Sequence, residues 1–305
     1  MEAVELSRFL TAMTLAVHII FATIGVGMPL MFAIAEFLGV KRNDAKYITL
    51  AKRWAKGYAV TVAVGVVTGT IIELQLSLLW PQFMKIAGHV IALPLFMEVF
   101  AFFFEAIFLS IYFYTWERFK NKWTHLIMSI PVVLGGTLSA FFITSVNSFM
   151  NTPEGFQLKN GKMIHVDPVA AMFNSSFGVR AFHVITTAIM TMAFILAAIA
   201  AFKLLKNKFE KDREYHKKAL KLTMIVGLVF TLGSMLAGDL SAKFLHNEQP
   251  EKLAAYEWHY DTEKRADLVL FGVLDEKNQE VHGAIKIPAL LSFLSLSLIH
   301  ISEPT

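Results

Sequence analysis

Long apolar runs, separated by short polar stretches, occupy most of the first 240 positions of the chain. Six of these runs reach the roughly 20 residues that a helix needs to cross the hydrocarbon core of a bilayer. The runs are Phe9–Val40, Trp54–Trp80, Ile91–Tyr114, Trp123–Phe149, Val179–Leu205 and Ala219–Leu240. The pattern predicts an all-α integral membrane protein whose six transmembrane helices form a bundle. Pro29 and Pro131, inside the first and fourth runs, predict kinks in those helices.

The pattern changes after residue 240. The stretch that follows contains DTEKRADLV and LDEKNQE, which carry too many charges to enter a membrane. We therefore divide the chain into a transmembrane bundle over residues 1–240, a polar segment outside the membrane over 241–291, and a short tail over 292–305.

Composition supports the membrane assignment, and charge orients the bundle. The chain is 55% hydrophobic, more than a soluble domain of this length needs. Sixteen Lys and Arg residues lie in the loops after the first, third and fifth runs, against four in the two intervening loops. Basic loops stay in the cytoplasm, so both termini and the polar segment are predicted to lie on the outer side. The net charge of +4 thus reflects topology, and we expect no nucleic-acid partner.

The third run, Ile91–Tyr114, carries two carboxyl groups and no basic residue. Glu98 and Glu105 are seven residues apart, so they lie on one face of a helix, about 10 Å apart along its axis. Ionisable groups at membrane depth normally face a bundle interior or a wet cavity, where they mark ion or proton routes. The alternative is a pair of protonated, hydrogen-bonded glutamates in the core.

Two histidines, His18 and His183, lie inside apolar runs, in the half of the membrane predicted to be outer. The chain has no cysteine, which excludes thiolate metal sites, whereas imidazole is a common axial ligand of haem. A core histidine held by hydrogen bonds would show the same pattern. So would a non-enzymatic membrane haem protein or a transporter with a buried proton relay. Seven further histidines lie in loops or near helix ends, and we expect them to be solvated: His89, His125, His165, His216, His246, His259 and His282.

The polar segment contains EKLAAYEWHY, in which Lys252 and Glu257 flank apolar and aromatic residues. One hypothesis is a solvated surface helix. The other is a binding site for an amphiphile at the outer membrane surface.

Several stretches, in this order, resemble subunit I of the cytochrome bd family of quinol oxidases. They are VELSRFLTAMTLAVHIIFATIGVGMPL, GVVTGTIIELQ, LPLFMEVFAFFFEAIF, LSAFFITSVNSFMNTPEGF, RAFHVITT and EKLAAYE. The resemblance covers the chain from Val4 to about Leu291. It implies a terminal oxidase that oxidises quinol at the outer face and reduces O2 to water with protons taken from the cytoplasm, which generates a proton motive force.

The resemblance also implies ligands for haem. His18, in AVHIIF, matches the axial ligand of a high-spin haem of the oxygen site, assigned to haem d. His183, in RAFHVITT, matches one ligand of the low-spin haem b. The family carries low-spin haem b, high-spin haem b and haem d, and a cyanide-insensitive branch with only b-type haems is the narrower alternative.

Proton and quinol sites follow from the same resemblance. Glu98 matches a carboxylate beside the oxygen-reducing haem, and Glu105 together with Ser139 matches the proton path leading to it. Lys252 and Glu257 match quinol-binding residues of the outer loop that the family calls the Q-loop. The sequence leaves open which quinone is used.

For partners, the resemblance implies subunit II, often a small single-helix subunit, and membrane lipid, in a bacterial cytoplasmic membrane. The family's subunit I continues into further membrane helices, which supply a Met ligand of the low-spin haem and a Glu ligand of the high-spin haem b. The final stretch SLSLIHISEPT departs from the family and resembles a translated sequencing adapter. We therefore expect a C-terminally truncated chain, which lacks ligands for the complete set of haems.

Overall fold

A computed structural model describes residues 3–206, 212–259, 265–275 and 277–294. The chain forms two compact units, Met1–Ser234 and Met235–Thr305. In chain order the helices of the first unit are α1 (Ala3–Arg42), α2 (Ala45–Leu79), α3 (Pro81–Tyr114), α4 (Lys122–Ile127), α5 (Ser129–Asn151), α6 (Pro168–Met172), α7 (Phe177–Leu205) and the start of α8 (Arg213–Glu248). The second unit contains the end of α8, then α9 (Pro250–Tyr256) and α10 (Leu290–Leu294).

Six spans within the described residues are long and apolar enough to cross a membrane. They are α1, α2, α3, α4 joined to α5, α7 and α8, and they confirm the six predicted runs. Each span begins before the apolar run that predicted it, and α1, α5 and α8 also end after it.

Local sequence signals set several helix boundaries. The Asp44 side chain accepts a hydrogen bond from the Lys46 amide and caps α2, and Pro81 occupies the first turn of α3. The fourth span is interrupted at Met128, between α4 and α5. Pro131 follows three residues later and cannot donate a backbone hydrogen bond, so the predicted kink is found as a break between two helices.

The core of the first unit surrounds the middle of α1. Met31, Phe32 and Ala35 are fully buried there, beside Leu50 and Tyr58 of α2. A Cβ atom added to Gly27 would lie 2.5 Å from Met192 Cβ, so the absence of a side chain lets α1 and α7 approach closely. The central part of α1 is therefore enclosed by neighbouring helices, and residues placed there are removed from lipid.

The predicted helical class is confirmed, and, among the residues described, two short antiparallel hairpins lie in loops between the helices. Strand β1 (Gln157–Lys159) pairs antiparallel with β2 (Lys162–Ile164), and in the second unit β3 (Leu268–Asp275) pairs with β4 (Glu280–Ile287). Asn160 and Gly161 have φ of 50° and 71° at the β1–β2 turn. Asn-Gly is a strong hairpin signal, so the first hairpin could have been predicted from the sequence. Most of the predicted tail, from residue 295 onward, lies outside the described residues.

Candidate functional site

Helices α1 and α3 cross in the same direction, and two sets of side-chain contacts define their alignment. The Tyr58 hydroxyl bridges the Gly25 carbonyl oxygen of α1, at 3.1 Å, and the Glu105 carboxylate of α3. One step further along both helices, the rings of Phe32 and Tyr112 stack with centroids 5.1 Å apart. Both residue numbers rise by seven between these contacts, which is nearly two helical turns.

The same alignment, continued seven residues in the opposite direction, reaches His18 on α1 and Glu98 on α3. These two side chains therefore lie at the same level along their helices, about 10 Å from the level of Glu105. His18 of α1 and His183 of α7 also share a level. Gly27 of α1 contacts Met192 of α7, and each histidine lies nine residues before its own member of this contact. Because α1 and α7 are the first and fifth spans, they cross in the same direction. Three of the residues singled out from the sequence thus share one level.

The His18 side chain is held by α2. Its Nδ1 atom lies 2.9 Å from the Thr68 hydroxyl, and a Cβ atom added to Gly69 would lie 3.2 Å from the ring. Metal-binding imidazoles usually bond a neighbouring group through the nitrogen that does not bind the metal. Thr68 fixes the ring in this way and leaves Nε2 for an iron atom.

His183 carries an unpartnered nitrogen. Its Nδ1 atom is buried and has no hydrogen-bond partner within the described residues. A buried polar atom without a partner costs free energy in a protein interior, unless a ligand takes it. The imidazole and its apolar helix fit an axial ligand of haem.

Glu98 and Ser139 are brought together by α3 and α5. The Ser139 hydroxyl donates to Glu98 Oε1 at 2.8 Å. The family resemblance associates Ser139 with Glu105, whereas this hydrogen bond links it to Glu98. The Glu98 side chain is half-buried, and part of its surface therefore stays exposed.

Glu105 is enclosed on all sides, with 3% of its surface exposed. Added Cβ atoms at Gly135 and Gly136 of α5 would lie 2.5 Å from Glu105 Cβ and 3.3 Å from its carboxyl oxygens. The two glycines therefore let α5 pass directly over the carboxyl group. Tyr58 is fully buried and supplies the hydrogen bond that this carboxyl group needs in a dry site.

A further ionisable cluster lies near the ends of α1 and α3. The Tyr112 hydroxyl donates to Glu36 Oε2 at 2.6 Å, and His125 Nδ1 lies 2.6 Å from Glu36 Oε1. His125 Nε2 donates to the Tyr112 carbonyl oxygen at 2.9 Å. His125 is 4% exposed, so the expectation that it is solvated is wrong: α4 folds back and packs it against α1 and α3.

In the second unit, Lys252 lies on α9 and Glu257 directly follows the helix. The Lys252 ammonium group lies 6.0 Å from the centre of the Tyr256 ring, close enough for a cation–π contact. Burial raises the pKa of the Glu257 carboxyl, while the nearby His259 acts in the opposite direction. Glu257 is half-buried beside an exposed aromatic ring. This arrangement favours the hypothesis of a binding site for an amphiphile over that of a fully solvated surface helix.

Sequence reasoning missed Glu36, Tyr58 and the glycine pair. Glu36 could have been found by the rule that found Glu98, since it is a carboxyl group in an apolar run. Tyr58 gave no signal, because a tyrosine near the end of a membrane helix is ordinarily an interfacial residue. The role of Gly135 and Gly136 depends on which helix lies opposite.

The fold and these residues define a multi-pass helical membrane protein with buried carboxyl groups and with histidines that fit haem. The profile of the family described as cytochrome bd terminal oxidase subunit I matches residues 6–300. A Bacillus subtilis (strain 168) protein named as a cytochrome bd menaquinol oxidase subunit I is 44% identical over 297 residues, which are 97% of this chain and 67% of that protein. The cytochrome bd ubiquinol oxidase subunit 1 of the same organism is 37% identical over 298 residues, which are 97% of this chain and 63% of that protein.

A solved structure agrees with these matches. A chain of the bd oxidase from Geobacillus thermodenitrificans superposes with a TM-score of 0.93 at 57% identity, covering 98% of this chain and 68% of that chain. The present chain thus spans about two thirds of the length of these relatives.

The chain therefore belongs to the cytochrome bd terminal oxidase subunit I family. The resemblance read from the sequence is confirmed, and so is its assignment to the oxidoreductases of electron transport; the transporter alternative is not favoured. Membership implies haem cofactors and a complex with a subunit II. The domain boundaries and the roles of individual residues stay predictions.

Proposed function

We propose that this chain is the haem-binding and quinol-oxidising subunit of a terminal oxidase that reduces O2 to water. The observation that carries the proposal is the alignment of α1 and α3. In this alignment His18 and Glu98 lie at one level, and Glu105 lies seven residues further along the same face of α3. The proposed haem ligand is therefore close to the start of a row of carboxyl groups.

His18 and His183 would hold iron, His18 for a high-spin haem assigned to haem d and His183 for the low-spin haem b. Thr68 orients the first imidazole, and the unpartnered Nδ1 of His183 marks the second. When bound, haems carry electrons singly and bind O2. A second high-spin haem b completes the proposed set.

Protons would reach the oxygen site along α3. Glu105 can exchange its proton with the Tyr58 hydroxyl: when ionised it accepts from Tyr58, and when protonated it donates while Tyr58 turns to the Gly25 carbonyl. Glu98 then takes the next proton, and the Ser139 hydroxyl stabilises its carboxylate. The burial of Glu105 and Tyr58 keeps the first transfer separate from lipid and bulk water.

Quinol would bind at α9. Glu257 is suited to accept a proton from a quinol hydroxyl, because its raised pKa lies closer to neutral pH than that of an ordinary carboxyl group. Lys252 would stabilise the negative charge that develops on the quinol oxygen. We propose that this segment faces the outer side of a bacterial cytoplasmic membrane. Quinol protons would then be released outside, whereas the protons used to reduce O2 would come from the cytoplasm. The proposed partners are a subunit II and a small single-helix subunit.

Spectroscopy of the assembled complex tests the proposal. A reduced-minus-oxidised spectrum should show a far-red haem d band together with a b-type band, and quinol should drive O2 uptake. Pyridine haemochrome analysis separates a haem d enzyme from a member with only b-type haems. A complex without any haem signal would exclude the proposed function.

A further inference from the structure

The proposed proton path uses Glu98 and Glu105, but α3 carries a third proton-exchanging residue on the same face. Tyr112 follows Glu105 by seven residues, as Glu105 follows Glu98, so the three groups form one stripe at steps of about 10 Å. Each member of the stripe has its own hydrogen-bond partner from another helix: Ser139 for Glu98, Tyr58 for Glu105 and Glu36 for Tyr112.

We call each residue of the stripe, together with its hydrogen-bond partners, a station. The Tyr112 station differs from the other two because it contains both an acid, Glu36, and a base, His125. His125 Nε2 donates to a carbonyl oxygen, which can only accept, so this nitrogen carries a proton in every state. Nδ1 and Glu36 Oε1 are 2.6 Å apart, a distance at which two unprotonated atoms would repel each other. One proton is therefore shared between Glu36 and His125, and it can reside on either group.

An open pocket lies close to the cluster. A pocket of about 420 Å³ opens at this end of the first unit and is lined by Lys52, Trp116 and Glu117 among others. The Trp116 ring lies 4.5 Å from the His125 ring, centroid to centroid, so a single side chain separates the pocket from the cluster. The titratable groups that face His125 among the described residues are Glu36 of α1, Tyr112 of α3 and Glu117 of the loop before α4.

This end of the bundle carries the basic loops, which predict the cytoplasmic side. The pocket lining includes Lys52, Arg53 and Lys122. Protons consumed in O2 reduction would enter here, at the end of α3 opposite to the His18 level.

We propose that Glu36, His125 and Tyr112 form the intake station of the proton path, which rests on the proposed oxidase function. A proton leaves the Glu36–His125 pair and is carried to Glu105 by water molecules beside Phe32, because the phenyl ring itself cannot bind a proton. A proton from pocket water replaces it, so the cluster returns to its starting charge. Phe32 contacts both Tyr112 and Tyr58, with ring centroids 5.1 Å and 5.8 Å apart, and spans the step between the two stations.

The test compares two substitutions of Glu36 in the assembled complex. Glu36→Gln keeps the size and a hydrogen-bond acceptor but cannot release a proton, whereas Glu36→Asp is shorter and retains the acid. An intake role predicts that the Gln variant loses turnover about tenfold at unchanged KM for quinol, and that the Asp variant recovers most of it. Proton uptake on mixing reduced enzyme with O2, followed with a pH-indicator dye, should slow in parallel while the haem spectrum is unchanged.

A purely structural role predicts the opposite order, because Gln fits the site better than Asp. Glu214→Gln is the matched control: Glu214 is exposed near the start of α8 and paired with Lys217, and its variant should behave like the wild type. Should the Gln variant not assemble, Tyr112→Phe removes one hydroxyl and must slow turnover per haem in the same way.

The inference is overturned if Glu36→Gln, or Tyr112→Phe in its place, turns over at the wild-type rate, or if Gln exceeds Asp. In that case a slow Glu105→Gln variant would show that the path, and the proposed oxidase function, still hold. A wild-type complex without haem or quinol-driven O2 uptake would instead exclude the proposed function.

Discussion

Glu105 of the bundle and Glu257 of the polar segment are carboxyl groups that are both removed from solvent in part or in full, but their surroundings differ. Glu105 is 3% exposed, lies beneath two glycines and has a fully buried tyrosine as its partner. Glu257 is half-buried at the end of a seven-residue helix, near Lys252 and an exposed aromatic ring. A proton relay needs fixed distances and the exclusion of water, whereas a site that admits a diffusing substrate has to stay accessible. The two carboxyl groups therefore suit different tasks.

The largest expected effect comes from removing His18, the proposed haem ligand at the level of Glu98. His18→Ala should abolish O2 reduction and the high-spin haem signal, because no other side chain on that turn of α1 can bind iron. Optical spectra of the purified complex measure the loss. His89→Ala, at an exposed position of α3, is the control. A normal spectrum in the His18 variant would contradict the assignment.

Closing the space above Glu105 should have the next largest effect. In Gly135→Ala the new Cβ atom would lie 2.5 Å from Glu105 Cβ and 2.8 Å from its Cα, so α3 and α5 must separate. We expect a loss of about 1–3 kcal/mol in stability and slower turnover, measured by thermal unfolding and O2 uptake. Gly57→Ala adds a methyl group where nothing lies within 4 Å and serves as the control. Equal behaviour of the two variants would show that the close approach is unimportant.

Removing a single hydroxyl sharpens the comparison without disturbing the packing. Tyr58→Phe leaves Glu105 without its hydrogen-bond donor, so proton transfer should slow about tenfold while the haem spectrum is retained. Stopped-flow measurement of O2 uptake gives the rate. Tyr114→Phe, at an exposed tyrosine of the same helix as Glu105, should have no effect. Wild-type turnover in Tyr58→Phe would remove Tyr58 from the path.

At the exposed carboxyl group the effect should fall on the substrate. Because burial raises the pKa of Glu257, the group becomes protonated, and unable to accept a proton, at a higher pH than an ordinary carboxyl group. The value of kcat/KM for quinol should therefore fall as pH drops through this raised pKa, and Glu257→Gln should lose that pH dependence. Glu251→Gln, at an exposed position of α9, should keep it. An unchanged pH profile in Glu257→Gln would exclude the proposed base.

The smallest effect concerns a charge at the surface of the bundle. Asp44 caps α2 and forms an ion pair with Lys218 of α8. Asp44→Asn keeps a capping side chain and should cost less than about 1 kcal/mol, whereas Asp44→Ala also loses the cap, worth about 1 kcal/mol more. The hydrogen bond from Lys218 holds the pKa of Asp44 below its ordinary 3.8. The loss of stability in the Asn variant should therefore be complete above pH 3.8 and should disappear as the pH falls through the lowered pKa, where Asp44 itself becomes protonated. Thermal unfolding across this pH range measures it, and Asn and Ala variants of equal stability would exclude the capping role.

The sequence by itself determined the six membrane spans and the common face of Glu98 and Glu105. Both follow from local geometry: a run of apolar residues has to be long enough to cross the bilayer, and residues seven apart align on any helix. The motifs around His18, His183 and Lys252 were sufficient to identify the family, because together they extend over nearly the whole chain.

The tertiary structure alone decided which partners those residues have. Ser139 bonds Glu98 and not Glu105, and His125 is buried against Glu36 although it follows a polar loop. These pairs join residues 41 and 89 positions apart in the sequence, so they depend on how separate helices pack and not on any local pattern. A helix determines which residues share a face, but only its neighbours determine what that face contacts.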